Sequence, residues 1–243
     1  MMKQTLVMSK VSDFNPLNYL IVFISTILVY QLAVSGVRFP FIPNHIHRNK
    51  SWMGTMLLLL IILTILVMKT LSSAAEFLLL CILISCFAYF TSVKTWKGLR
   101  AIPAVKGILL ALAWSMVTVV FPLINDWNWN THFILLLQRF LFMLAICIIY
   151  NLRDVDMDRK HGVVTIASMF GEKNTRIVGL TCLLAFVMSV VFYASELKYI
   201  LMGSALVTAI AISKAKINGS IFYYRYIIDG CMMLQSLLII CSK

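Results

Sequence analysis

The chain alternates long apolar runs with short breaks that are polar and mostly basic. A helix that crosses a membrane needs about 20 mainly apolar residues, with a range of about 17–25. Eight stretches meet that requirement, roughly 17–36, 53–72, 75–93, 103–123, 132–151, 176–194, 198–213 and 221–241. The seventh is short, and the break at Glu196–Lys198 predicts a tight hairpin with its predecessor. No polar domain, linker or low-complexity segment interrupts the pattern. The expectation is one all-α integral-membrane domain over residues 1–243, a bundle of about eight transmembrane helices.

The breaks carry an orientation. Arg38, Arg48 and Lys50 follow the first span, Lys94, Lys97, Arg100 and Lys106 the third, Arg153, Arg159, Lys160, Lys173 and Arg176 the fifth, and Lys214, Lys216 and Arg225 the seventh. The other side holds Lys3, Lys10, Lys69, Lys198 and Lys243, so the bias is fifteen against five. Cytoplasmic loops collect Lys and Arg, which places the odd-numbered breaks inside and both termini outside. An outward start without a charged, apolar and cleavable leader raises the expectation that one leading helix is missing.

The break after the fifth span reads Asn151-Leu-Arg-Asp154-Val-Asp156-Met-Asp158-Arg-Lys-His161-Gly162-Val-Val-Thr165 and holds three of the six aspartates. On a helix, positions i, i+3 and i+7 share a face, so Asn151, Asp154 and Asp158 align while Asp156 points away. Two carboxylates and an amide oxygen form a hard-oxygen surface suited to Mg²⁺, which takes one or two carboxylates and completes its shell with water and phosphate. The unpaired carbonyls of a helix ending here would add negative potential. A solvated loop after a span is the plainer reading of the same charges.

Composition narrows the class. Hydrophobic residues make up 61% of the chain and charged residues 12%, which excludes an ordinary soluble domain. The net charge of +12 reads as basic loops beside anionic lipid rather than a nucleic-acid surface. Six cysteines lie in or beside apolar runs with no ligand spacing and read as small buried hydrophobes. Gln31, Gln138, Arg139, Asp229 and Gln235 are polar at membrane depth, where polar groups are costly. An Arg139–Asp229 pair is one expectation, with separate backbone or water partners as the alternative. His45 and His47 flank Asn44 without further ligands to complete a metal site. Trp127 and Trp129 suit an outer interfacial belt.

From Gln138 to Arg176 the sequence resembles the second aspartate-rich region of the UbiA family of intramembrane prenyltransferases. The matching letters are Asn151, Arg153, Asp154, Asp158, Arg159, Gly162, Thr165 and Gly171, in one register. The loop Tyr89-Phe-Thr-Ser-Val-Lys94 through Lys97, Arg100 and Pro103 is similar to the family's basic loop after its fourth helix. One departure stands out. The family's first Asn/Asp-rich motif should follow the first span, yet that place reads Tyr30-Gln-Leu-Ala-Val-Ser-Gly-Val-Arg38, and no Asp or Glu occurs from Phe14 to Arg48.

The resemblance implies a Mg²⁺-dependent transfer of an isoprenyl group from an allylic diphosphate to an aromatic or lipid acceptor. It assigns Asp154 and Asp158 to catalysis, and Asp154, Asp158 and Asn151 to the metal. Lys94, Lys97, Arg100, Asn151, Arg153, Tyr150 and Trp114 fall to the substrate, with Tyr89, Trp114, Phe142 and Tyr150 lining a prenyl cavity. Gln31 or Asn44 would offer neutral oxygen where the first motif is missing. The partners implied are an isoprenyl diphosphate, a hydrophobic acceptor and membrane lipid, with no nucleic acid. The implied location is a bacterial inner membrane, with the aspartate stretch cytoplasmic. The alternative is a UbiA-like protein without catalysis that binds lipid diphosphate or serves structurally. A CDP-alcohol phosphotransferase is disfavoured because Asp229-Gly230 comes after Asp158 and is followed by Cys-Met-Met-Leu. A transporter is disfavoured because all five prolines lie at span ends or in loops.

Overall fold

The computed structural model describes residues 1–9, 17–34, 50–90, 105–160, 164–192 and 197–242. Regular structure among them is entirely helical. The expectation of one domain meets a chain whose contacts group into two compact units, Ser12–Arg100 and Met1–Val11 with Ala101–Lys243.

The first of these units holds α2 (Leu17–Val34), α3 (Lys50–Thr70) and α4 (Ser73–Phe90). Helix α2 packs on α3. Ser72 ends the two-residue turn before α4, and its Oγ accepts the Ala75 N–H at 3.4 Å, which satisfies one of the donors a helix start leaves open.

The second unit begins with α1 (Met2–Ser9) and resumes at α5 (Val105–Ser115). The α5 axis continues through a π turn, Met116–Val120, and short turns to Asp126. Then come α6 (Trp129–Lys160), α7 (Ile166–Phe192), α8 (Lys198–Lys214), a second π turn (Tyr223–Ile228) and α9 (Asp229–Cys241). Each of the eight expected spans contains a helix among the described residues. Gly107–Asp126, Trp129–Asp156, Ile166–Phe192 and Tyr223–Cys241 are long and apolar enough to cross a membrane. Leu17–Ile27, Leu58–Val67 and Ser73–Ser85 are shorter apolar helices, and α8 has 17 residues. The family of helices is that of an integral-membrane bundle.

Helix α6 is the hub, packed against both α5 and α7. Phe142, Met143, Ala145, Ile146, Ile149, Leu152 and Val155 are buried along it. A glycine lets α7 come close: a Cβ on Gly179 would sit 3.0 Å from Ile149 Cδ1, while Gly107 of α5 lies beside Asn151 with room for a Cβ. Apolar side chains such as Leu184, Val191, Leu206, Met233 and Leu237 stay exposed on α7, α8 and α9, as lipid-facing positions do. Trp127 and Trp129 meet edge to face at the start of α6, 5.5 Å between centroids.

The interior polar residues do not pair as expected. Arg139, 6% exposed, donates to Gln4 Oε1 at 2.8 Å, Gln235 Oε1 at 3.2 Å and Thr5 Oγ1 at 3.5 Å. Asp229 is not among its partners, and register is the reason. Arg139 meets Gln235, while Tyr150, eleven positions further along α6, meets Tyr224, eleven positions back toward the start of α9. The two segments run antiparallel, so Gln235 stands at the level of Arg139 and Asp229 falls between that level and Tyr150, with Tyr150, Arg153 and Arg225 as the groups it faces.

Candidate functional site

Helix α6 does not stop at the expected end of the fifth span. It runs on to Lys160, so the whole aspartate stretch up to that residue is helical. Its 32 residues measure about 48 Å at 1.5 Å each, well beyond an apolar layer of about 30 Å. The extension places Asp158 within the last turn, where the free carbonyls of the helix end bear partial negative charge.

Asn151 and Asp158 are each only 1% exposed, and Asp154 is half-buried. Asp156 is exposed and used elsewhere: its Oδ2 accepts the Asn218 side-chain amide at 2.6 Å. Both Oδ1 and Nδ2 of Asn151 are buried with no hydrogen-bond partner among the described residues. An unpaired buried amide costs about 1–3 kcal/mol. The cost falls on the residue whose oxygen stands one turn before Asp154.

Arg153 closes on its neighbour, with Nε donating to Asp154 Oδ1 at 2.7 Å and Nη2 to Oδ2 at 3.1 Å. The same guanidinium lies over the Tyr150 ring, 4.9 Å from its centroid. The Tyr150 hydroxyl donates to the Tyr224 carbonyl at 2.7 Å. Asp229 faces Tyr150, Arg153 and Arg225. The expected site residues Tyr150, Asn151, Arg153, Asp154 and Asp158 are thus gathered at one end of α6. Asp229 joins them, and the sequence reading missed this because it weighed that carboxylate only as a partner of Arg139 or of backbone and water. The signal was present: Asp229 is the one carboxylate of an otherwise apolar span.

Not every expected residue joins the group. Trp114 is half-buried on α5, two turns beyond Gly107, which is about 10 Å from the level of Asn151. Phe142 fills core instead of lining a cavity: it is fully buried, its ring 5.4 Å from that of Phe186. Lys94, Lys97, Arg100, Asn44 and Gly162 lie outside the described residues, as do the side chains of Gln31 and Tyr89.

The start of α7 is held firmly. Thr165 caps it: its Oγ1 accepts the Ser168 N–H at 3.3 Å, and Ser168 Oγ accepts the Thr165 N–H at 2.9 Å. This reciprocal box gives Thr165 a structural role. Gly171 kinks α7 at φ 74° and ψ 179°, a conformation essentially confined to glycine. Beyond the kink, Glu172 accepts the Ile217 N–H at 2.6 Å and pairs with Arg176, whose Nε donates to the Ala215 carbonyl at 2.5 Å. The segment between α8 and α9 is thereby clamped to α6 and α7.

Among the described residues no three His, Cys, Asp or Glu side chains cluster as a self-sufficient metal cage. The donor set instead fits a cation that is shared with a ligand. Asn151, Asp154 and Asp158 present hard oxygens on one helix face, the Asn151 oxygen is unclaimed, and the helix end favours positive charge. Mg²⁺ accepts such a partial set and completes it with phosphate oxygens and water.

A model of the UbiA prenyltransferase family matches residues 40–218. No curated protein and no solved structure matches the chain. The matched segment takes in α6, its aspartates and the capped, kinked start of α7. It begins after Tyr30–Arg38, where the first motif's carboxylates are missing, and it ends before Asp229. With well over half of its 243 residues matched, the chain belongs to the UbiA prenyltransferase family, a family of membrane prenyltransferases.

Proposed function

We propose that this chain is a Mg²⁺-dependent prenyltransferase that moves an isoprenyl group from an allylic diphosphate to an aromatic or lipid acceptor. The observation that carries the reading is the unpaired Asn151 amide on the face of α6 that bears Asp154 and the buried Asp158. Buried polar atoms in folded proteins are nearly always paired, so an orphan beside two carboxylates marks a place for a ligand.

Asn151, Asp154 and Asp158 would hold the cation through their oxygens. Bound there, Mg²⁺ would neutralise charge on the departing diphosphate. Arg153 presents a planar fork of donors that matches phosphate oxygens two at a time. Lys94, Lys97 and Arg100 are the further cations the sequence offers for the same diphosphate. Tyr150 is fixed by its bond to Tyr224, so its ring is a rigid aromatic wall near the allylic end, where developing positive charge favours a π face.

The second reading is a family member that binds a lipid diphosphate without turning it over. The bidentate grip of Arg153 on Asp154, together with the missing first motif, supports it. One experiment separates the two: release of inorganic diphosphate from a labelled allylic diphosphate, in membranes containing the full chain, with and without Mg²⁺. Asp154→Asn and Asp158→Asn should each lower Mg²⁺-dependent release by about 10²–10³-fold, the scale of losing one electrostatic stabiliser. Equal release by wild type and both variants, or release indifferent to Mg²⁺, would sink the enzyme reading.

A further inference from the structure

A guanidinium that grips both oxygens of Asp154 competes with any cation for that carboxylate. For Asp154 to serve a metal, Arg153 needs somewhere else to go. The fold supplies a second acidic side chain within its reach.

Asp229 owes its place to the π turn Tyr223–Ile228. Its N–H donates to the carbonyl of Tyr224, five residues back, and that same carbonyl receives the Tyr150 hydroxyl at 2.7 Å. One oxygen therefore joins the start of α9 to Tyr150, whose ring is 5.8 Å from that of Tyr224 and carries Arg153 on its face. In an uninterrupted α-helix the extra residue of the π turn would be absent, and Asp229 would be rotated by about 100° around the axis. Single π turns of this kind occur often at functional sites. As built, the half-buried carboxyl of Asp229 faces Tyr150, Arg153 and Arg225. Arg153 thus stands between two acidic side chains, one on its own helix and one across the bundle.

We propose that Asp229 is the alternative seat of the Arg153 guanidinium, a positioning residue that receives Arg153 when a divalent cation takes Asp154. The proposal rests on the metal-site reading above and adds to it a residue outside the matched family segment. The exchange keeps the guanidinium of Arg153 beside a carboxylate throughout. A cation entering at Asp154 repels the guanidinium, and Asp229 offers it a charge-assisted bond while the Tyr150 ring stays beneath it. Without Asp229, Arg153 would lose the carboxylate that faces it across the bundle and would remain on Asp154 in competition with the metal.

The test is Mn²⁺ binding to the full chain in nanodiscs without diphosphate, so that loss of Arg153 as a phosphate donor does not enter, read by electron paramagnetic resonance. Wild type should bind, and Asp154→Asn should not. Asp229→Asn should weaken Mn²⁺ by about tenfold, the usual effect of losing a residue that orients a metal ligand, and Asp229→Glu should recover most of it. The deciding variant is Asp229→Asn with Arg153→Gln, which removes the competitor and should restore Mn²⁺ affinity. A purely structural Asp229 would give no such rescue, and its absence would overturn the proposal. Unchanged affinity in Asp229→Asn, with wild type binding normally, would overturn it while leaving the metal site standing. Failure of wild type itself to bind would remove both. If Asp229→Asn does not fold, Arg153→Gln alone decides: tighter Mn²⁺ binding is expected, and unchanged or weaker binding refutes the competition.

Discussion

Helix α6 carries two polar groups in a run of apolar residues, and they are built on opposite plans. Around Arg139 the partners are neutral and come from α1 and α9: Gln4, Thr5 and Gln235 accept from the guanidinium. Gln4 is held in turn by Ser236 at 3.2 Å, Gln235 by Ser204 at 3.3 Å, and Thr5 donates at 2.7 Å to the Thr118 carbonyl in the first π turn. In this group the Arg139 Nε has no partner among the described residues, and it lies beside a void of about 10 Å³, which has room for a single water. Around Asp154 the group is charged, drawn largely from one helix, and leaves a whole amide unpaired. The first arrangement is finished and ties helices together. The second keeps a buried amide that has no partner among the described residues.

The largest effect should come from dismantling the finished one. Arg139→Ala strips the Gln235 oxygen of its donor and leaves a hole in a packed interior. The combined cost is about 3 kcal/mol or more, visible as a large drop in unfolding temperature in detergent. The folded fraction should still bind Mn²⁺ with diphosphate as wild type does. A variant with unchanged unfolding temperature but no Mn²⁺ binding would show that the two groups are one.

The opposite pattern is expected at Asn151. Asn151→Leu replaces an unpaired amide with an apolar side chain of similar bulk, removing a penalty of about 1–3 kcal/mol. Stability should hold or rise while Mg²⁺-dependent release of diphosphate falls by about 10–100-fold. A loss of stability in Asn151→Leu would mean that the amide serves the fold and that the contrast with Arg139 is false.

The eight spans were legible because membrane depth imposes a length and a composition that any neighbour leaves intact. The alignment of Asn151, Asp154 and Asp158 was legible because it depends on one helix alone. Partners across the bundle were not. Arg139 and Asp229 are the obvious opposite charges in the sequence, yet antiparallel register sets Gln235 level with Arg139 and leaves Asp229 between that level and Tyr150, and no local pattern carries that offset. The continuation of α6 to Lys160 was also missed as a length, since the polar residues that end an apolar span need not end its helix. Both π turns were invisible for a related reason. Each is sustained by a hydroxyl from elsewhere, Thr5 on Thr118 and Tyr150 on Tyr224, so the local sequence holds only half of the cause.

The smallest effect should come from the carboxylate that sequence composition cannot distinguish from its neighbours. Asp156 stands between Asp154 and Asp158, but the helix turns it outward to Asn218, whose backbone N–H also reaches the Leu152 carbonyl at 3.2 Å. Asp156→Ala therefore removes one exposed hydrogen bond worth about 0.5–1.5 kcal/mol and leaves that backbone bond to keep the segment docked. Diphosphate release should stay at the wild-type level, against its loss in Asp154→Asn and Asp158→Asn. If the site were merely a negative patch attracting Mg²⁺ to a membrane surface, the three aspartates would be interchangeable and Asp156→Ala would hurt as much as the others. Activity that survives it alone requires a face, and a face requires the helix.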